Sequence, residues 1–404
     1  MTTSTTRFDK ARSMLDTAAE PDRQTTPSKR RRKVAAAVVR ERRSILLVVP
    51  VVMLLIIGLG AMLSASSVVS IRETGDHLFY IKRQVLWVGL GIAAFVVTSR
   101  LPYRIYERLA VPIYVLAMAA LVATLAFGDV RGGARRWIEL GPVTLQPSEF
   151  AKLATVIVLA AILVKKGPLL RQIGHFLVPV VVILGTVAAL LLAQPDFGTA
   201  LLIGGAAFAV MIASTAPIGF LAGVATLGGA LAVFGAMASN YRRDRITGFL
   251  DPFADPLDTG HQAVQSLVAL GTGGWFGVGL GASRARWSFL PNAHTDFIFA
   301  IIGEETGFVG GSLVIVLFAL FGYIGIRVAL RAPDLFGRLL AVGIVAWLSL
   351  QALVNIGGVV GALPITGVPL PFVSSGGNAM LVNLAAVGIL VNIARSTPAA
   401  GQRS

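Results

Sequence analysis

No cysteine occurs in the 404 residues, and only 14% of them are charged, where a soluble domain carries about a quarter. The first absence excludes disulfides, thiolate metal centres and a lipidated-cysteine anchor. The second excludes an ordinary soluble domain. Histidine is scarce as well: His77, His175, His261 and His294 are too scattered to suggest a local metal motif. Neither a GxxxxGK[ST] loop nor a dinucleotide fingerprint is present. What fills the chain instead is apolar, 55% of all residues, with a mean hydropathy of +0.78.

Apolar runs long enough to cross a bilayer, about 20 residues each, recur along most of the chain. Alternating ten-residue segments, the mark of a membrane barrel, do not. The fold class is therefore all-α, a polytopic integral membrane protein. Ten spans are predicted near 45–64, 84–99, 109–127, 150–164, 175–193, 198–213, 217–238, 305–326, 339–356 and 376–394. Residues 1–44 read as a disordered basic tail, 45–395 as the membrane domain and 396–404 as a short C-terminal tail.

The net charge of +15 is uneven, and the tail holds nearly half of it, mostly in SKRRRKVAAAVVRERRS. A nucleic-acid role is the rival reading of KRRRK, but a basic segment directly before a span sets orientation and meets anionic headgroups. The expected contacts are thus membrane lipids, with no nucleic acid. With the tail in the cytoplasm, the inside loops hold Arg100, Arg104 and Arg108, then Lys165, Lys166 and Arg171, then Arg327, Arg331 and Arg338, and last Arg395. Each is a short basic cluster at a span end, as the positive-inside rule requires, and both termini come out cytoplasmic. The outer loops carry mixed charge, and the longest, at about 239–304, lies between the seventh and eighth spans. Basic residues there hint at an anionic ligand.

Three outer segments place a carboxylate at a span threshold, which raises the prospect of one shared polar site. In QPSEFAK, Glu149 and Lys152 share a helix face behind a start at Pro147 and Ser148, and dipole and snorkelling roles would also account for them. In QPDFGT, Asp196 is equally suited to cap the next span. In LPNAHTDFIFAIIGEETGFVG, Thr295 or Asp296 could cap a helix, while Glu304 and Glu305 inside an apolar run need a partner or a cavity. An unbroken helix would put Glu304 about 12 Å from Asp296 along its axis, but Gly303 and Gly307 permit a break. The arginines of YRRDRITGFLDPFADP and the glycines of GTGGWFGVGLGASRARW suit a pyrophosphate or a solvated loop. LPITGVPLPFVSSGGNAM has too many prolines and glycines for a regular span, so it should line a cavity or lie buried in protein. Its Ser374 and Ser375 either donate to a ligand or cap the last helix.

Taken in order, GARRWIELGPVTLQPSEFAK, QPDFGTA, RITGFLDPFADP, LPNAHTDFIFAIIGEETGFVG and LPITGVPLPFVSSGGN resemble the SEDS proteins (shape, elongation, division and sporulation), from the first span to the last. The long basic tail and the RITGFLDPFADP and FAIIGEE wording look more like the division branch than the elongation branch. The resemblance implies ten spans around an outward-facing cavity, and peptidoglycan glycosyltransferase activity on lipid II with release of undecaprenyl pyrophosphate. It implies a class B penicillin-binding transpeptidase of the division type as partner, other divisome membrane proteins, and a place in the bacterial cytoplasmic membrane at the septum. The family's essential aspartate maps onto Asp296, and its cavity residues onto Glu149, Lys152 and Asp196. Arg136, Arg245, Glu304, Ser374 and Ser375 are further cavity candidates. One departure is PFVSSGGN, where many relatives have a tyrosine before the glycines.

That reaction needs a base for a sugar hydroxyl, a task for Asp296, and cations for the departing pyrophosphate, from Lys152, the arginines or a divalent ion such as Mg or Mn at an unknown site. A lipid II flippase, with intramembrane acids of its own, and a scaffold that recruits the transpeptidase are the two alternatives.

Overall fold

A computed structural model describes residues 29–131, 134–141, 143–284 and 295–397. Thirteen α-helices and three short strands follow in this order: α1 (Lys29–Thr74), α2 (Phe79–Arg100), α3 (Arg104–Arg108), α4 (Ala110–Phe127), β1 (Asp129–Arg131), β2 (Ala134–Leu140), β3 (Val143–Leu145), α5 (Pro147–Lys166), α6 (Ile173–Ala193), α7 (Phe197–Ala213), α8 (Ile218–Met237), α9 (Asn240–Leu250), α10 (His261–Gly273), α11 (Ile298–Leu330), α12 (Leu335–Val359) and α13 (Gly377–Ser396). Among the described residues nine helices are long and apolar enough to span a bilayer, and α7 is a shorter apolar one. Those ten coincide with the ten predicted spans, and the chain is a multi-pass membrane protein. The first helix starts at Lys29, inside the stretch read as tail, and α11 starts at Ile298, seven residues before its expected start at 305.

The bundle is organised around α13, whose apolar window is 83% buried. With lipid on the outside, such helices associate by close packing rather than by hydrophobic exclusion, so small residues mark their contacts. Gly91 of α2 is one: a Cβ there would lie 2.6 Å from a Leu384 methyl. Thr98 donates across the same interface to the Ala385 carbonyl at 2.9 Å. Asn392 then closes the end of α2, accepting from the Tyr103 amide at 2.9 Å and donating to the Ser99 carbonyl at 3.0 Å.

Two faces emerge, matching the charge pattern. Tyr103 and Arg104 meet Asp334, which also caps α12, so the basic loops around 100–108 and 331–338 lie together. At the other end Asn378 donates to the Thr144 carbonyl at 2.7 Å, Arg136 reaches the Gln194 carbonyl, and Arg245 the Ile365 carbonyl. There β1, β2 and β3 form an antiparallel sheet in chain order, with Val130 opposite Arg135 and Glu139 opposite Thr144. The sheet, α9 and α10 were not anticipated from hydropathy. Polar outer loops carry little of that signal.

Candidate active site

A strap without regular structure, from about Leu363 to Ser375, joins α12 to α13 on the loop-rich face. Pro364, Pro369 and Pro371 have no amide hydrogen, so apart from a turn at Leu370–Ser374 the strap pairs little with itself, and its other buried carbonyls need outside donors. Three of them have one. Arg245 Nη1 donates to the Ile365 carbonyl at 2.9 Å, Asn355 Nδ2 to Val368 at 2.8 Å, and Gln351 Nε2 to Pro369 at 2.9 Å. Ser374 secures the far end, its hydroxyl accepting from the Leu370 amide at 2.8 Å. Neither serine caps α13, whose N-cap is Gly376. Ser375 is half-buried beside it.

Asp296 stands where the strap meets the start of α11. It is not the helix cap, because the N-cap position is Phe297. The strap backbone passes close to it at Gly367 (φ +71°), where a Cβ would lie 3.6 Å from both Asp296 Oδ2 and Arg245 Nη1. A pocket of about 10 Å³, the room of one water-sized group, is lined by Asp296, Asn355, Gly358, Thr366 and Gly367. Burial pushes the Asp296 carboxyl up to about 6, while Arg245 and then Arg136 pull it back down. Such a group is mostly ionised at neutral pH and still basic enough to take a proton.

Arg136 connects this corner to the QPDFGT motif. Strand alternation turns Arg136 away from the exposed Arg135, and its Nη1 lies 3.9 Å from Asp196 Oδ1. It also donates to the carbonyls of Gln194 and Pro195. Asp196 does cap α7, accepting from the Thr199 amide at 3.4 Å, so the modest reading of that motif holds. Yet its Oδ2 is buried with no hydrogen-bond partner among the described residues.

Glu149 and Lys152 lie behind the strap, each 2% exposed. Lys152 Nζ is 2.8 Å from Glu149 Oε2 and 2.9 Å from Gln351 Oε1, and it sits 5.2 Å from the centre of the Trp347 ring. Trp347 Nε1 donates to the same Gln351 oxygen at 2.8 Å. The ammonium is enclosed by protein, so its link to the strap is indirect, through Gln351. The helix start differs too: Gln146 is the N-cap, and Ser148 is buried inside the first turn.

Glu304 is not brought to Asp296. Its carboxylate accepts from the Ser283 hydroxyl and, at 2.9 Å, from the Arg284 amide, while Glu305 accepts from Ser64 of α1. α11 runs unbroken from Ile298 past Glu304, which keeps the two acids about two turns apart, and it breaks only beyond them, at Gly307 (φ +67°, ψ −165°). A break leaves helical carbonyls and amides without partners, which is tolerated at membrane depth only if protein supplies them. The glycine-rich loop does so. The amides of Val278 and Gly279 donate to the Glu304 and Glu305 carbonyls, and the amides of Phe308 and Val309 donate back to Gly274 and Trp275. At Gly277 a Cβ would sit 2.1 Å from the Glu305 oxygen. These glycines permit backbone contact with a broken helix, which corrects the pyrophosphate reading of GTGGWFGVG. Arg286 and His294 fall outside the described residues.

The structure thus draws Asp296, Arg245, Arg136 and Asp196 into one corner of the loop-rich face and sets Glu149, Lys152 and Glu304 into supporting networks. Sequence reading missed Gln351 and Asn355. Their signal was there: two amides one helical turn apart within an otherwise apolar predicted span.

Residues 45–399 match the model of the FtsW/RodA/SpoVE family, described as cell cycle protein. The chain belongs to this SEDS family. SEDS relatives include the stage V sporulation protein E of Bacillus subtilis, 39% identical over 84% of this chain and 93% of that protein. Another, named a probable peptidoglycan glycosyltransferase FtsW, from Geobacter metallireducens, is 41% identical over 83% of this chain and 90% of its own length. Among solved SEDS structures, RodA of Thermus thermophilus superposes with a TM-score of 0.65 at 28% identity, over 87% of this chain and 96% of RodA. A chain of a peptidoglycan synthase complex that coordinates polymerization and crosslinking gives 0.70 at 30% identity, over 86% and 96%. Within the SEDS family this chain is FtsW-like.

Proposed function

We propose that this protein is a peptidoglycan glycosyltransferase that polymerises lipid II on the outer face of the bacterial cytoplasmic membrane during septal wall synthesis. The Asp296 corner carries the proposal: one carboxylate raised to about 6, beside a water-sized pocket, with two arginines in electrostatic range. In the reaction, Asp296 takes the proton of a sugar 4-hydroxyl as its oxygen bonds to the anomeric carbon of the donor. The bond from that carbon to the phosphate oxygen breaks, and its electron pair leaves with undecaprenyl pyrophosphate. A single in-line displacement of this kind inverts the anomeric centre and needs no covalent enzyme intermediate. Arg245 and Arg136 stabilise the departing charge, guanidinium being suited to paired contacts with phosphate oxygens.

A divalent cation, Mg or Mn, belongs to the proposal as a companion of the diphosphate. Among the described residues no three His, Cys, Asp or Glu side chains converge, so a closed protein cage does not fit. A site completed by substrate oxygens does fit the unpartnered Asp196 Oδ2, because Mg²⁺ is commonly held by one or two carboxylates plus phosphates. When bound there it would neutralise part of the diphosphate charge.

The likeness to a chain of a synthase complex supports a transpeptidase partner, here a class B penicillin-binding protein of the division type, within a set of divisome membrane proteins. The basic clusters support cytoplasmic termini. The deciding assay gives labelled lipid II to the purified protein, with and without that partner. Wild-type protein should make glycan polymer and Asp296→Ala none. Undiminished polymer from Asp296→Ala removes the base assignment, and lipid II movement across vesicles without any polymer favours a flippase.

A further inference from the structure

Asp296 precedes α11, and the helical ladder of α11 starts with the carbonyl of Phe297, which accepts from Ala300. The backbone of Asp296 is therefore not held by its own helix. Asn355 holds it. This residue of α12 is 5% exposed, and its Nδ2 donates both to the Asp296 carbonyl and to the Val368 carbonyl, each at 2.8 Å. Both amide hydrogens are thus committed to joining the acid-bearing segment to the strap. With the nitrogen directed at two carbonyls, Oδ1 is left buried and without a hydrogen-bond partner among the described residues. Asn355 lines the same small pocket as Asp296. An unpaired buried acceptor costs about 1–3 kcal/mol, a cost that Gln194, Asn378 and Asn383 carry as well; what sets Asn355 apart is its bond to the Asp296 carbonyl.

We infer that Asn355 is a positioning residue of the reaction, clamping the Asp296 backbone against the strap so that the carboxylate faces the pocket in one fixed geometry. The inference rests on the reading of Asp296 as the base. Gln351, one turn earlier, serves the Lys152 network and Pro369 but has no bond to Asp296, which makes it the natural control. The charged groups acting on Asp296 are Arg245 of α9 and Arg136 of β2.

The test measures lipid II polymerisation by the purified protein with its transpeptidase partner, across pH. Asn355→Ala should lower kcat about 10- to 100-fold with KM for lipid II within about twofold, the pattern of a misaligned catalytic group. Its acid limb should move to lower pH, because a released carboxylate meets water. Asn355→Asp, which places a second negative charge beside the first, should move the limb to higher pH. Asn355→Ser keeps one donor and should recover part of the rate. Should the alanine variant fail to fold, the serine and aspartate variants decide. Gln351→Ala should leave the acid limb where it is. An Asn355→Ala protein with wild-type kcat, or one that loses rate with the acid limb unmoved, overturns the inference. If Asp296→Ala is inactive in that same series, the base assignment survives; if Asp296→Ala still polymerises, both readings fall.

Discussion

Two carboxylate–cation groupings lie on either side of the strap, and they differ in access. Behind it, Glu149 and Lys152 are sealed, and the ammonium has a carboxylate, an amide oxygen and an indole face around it. In front, Asp296 lines a small pocket beside two guanidinium groups. Both looked alike in the sequence, a carboxylate at a span threshold. Burial alone does not mark a site. A charged pair closed off by protein holds the fold, and a charged group that lines a pocket is available to a ligand.

Substitution should separate the two. The largest effect is expected from Asp296→Ala, a loss of polymerisation of about 10²- to 10⁴-fold, the usual contribution of a general base, with the melting temperature kept or raised. A fall in melting temperature matching the loss of activity would erase the contrast. Next comes Lys152→Ala. It leaves Glu149 buried and unpaired, and should destabilise the protein by about 3–5 kcal/mol, read in detergent denaturation. Replacing the pair together, Glu149→Leu with Lys152→Met, should recover most of that loss if the pair is structural.

Three smaller effects sharpen the picture. The rate should fall as pH drops through about 6, because the base must be unprotonated. Arg245→Ala removes a charge that lowers the Asp296 pKa, so its acid limb should shift upward; a downward shift would contradict the charge assignment. Gly307→Ala should cost about 1–3 kcal/mol, since this backbone conformation is nearly confined to glycine. The added methyl group would also meet the Trp275 backbone at 2.5 Å. A hydrogen-exchange increase confined to Gly274–Gly279 and Glu304–Val309 would show that the loop and the break form one unit.

The helices illustrate why some of this was legible and some was not. The apolar runs of α8 and α13 are equally plain in the sequence, yet 6% of the α8 window is buried against 83% for α13. Lipid and protein interior are both apolar, so hydropathy finds spans without telling the outermost from the central. Asp296 was legible because a charged group at a span threshold is costly and therefore informative. Asn355 was harder to read, because the amide pair it forms with Gln351 in an apolar run carries no charge to draw attention to it.

The sequence by itself determined the run of apolar spans, the separation of basic from mixed-charge loops and the place of Asp296 among polar residues at the span thresholds, since each follows from local composition against the cost of putting charge in hydrocarbon. Only the tertiary structure decided which acids are sealed and which are open, and why the glycine loop exists. Those depend on what a distant segment supplies: a carbonyl of the strap, a hydroxyl of α1 or an amide of α12 is a neighbour in space and invisible along the chain.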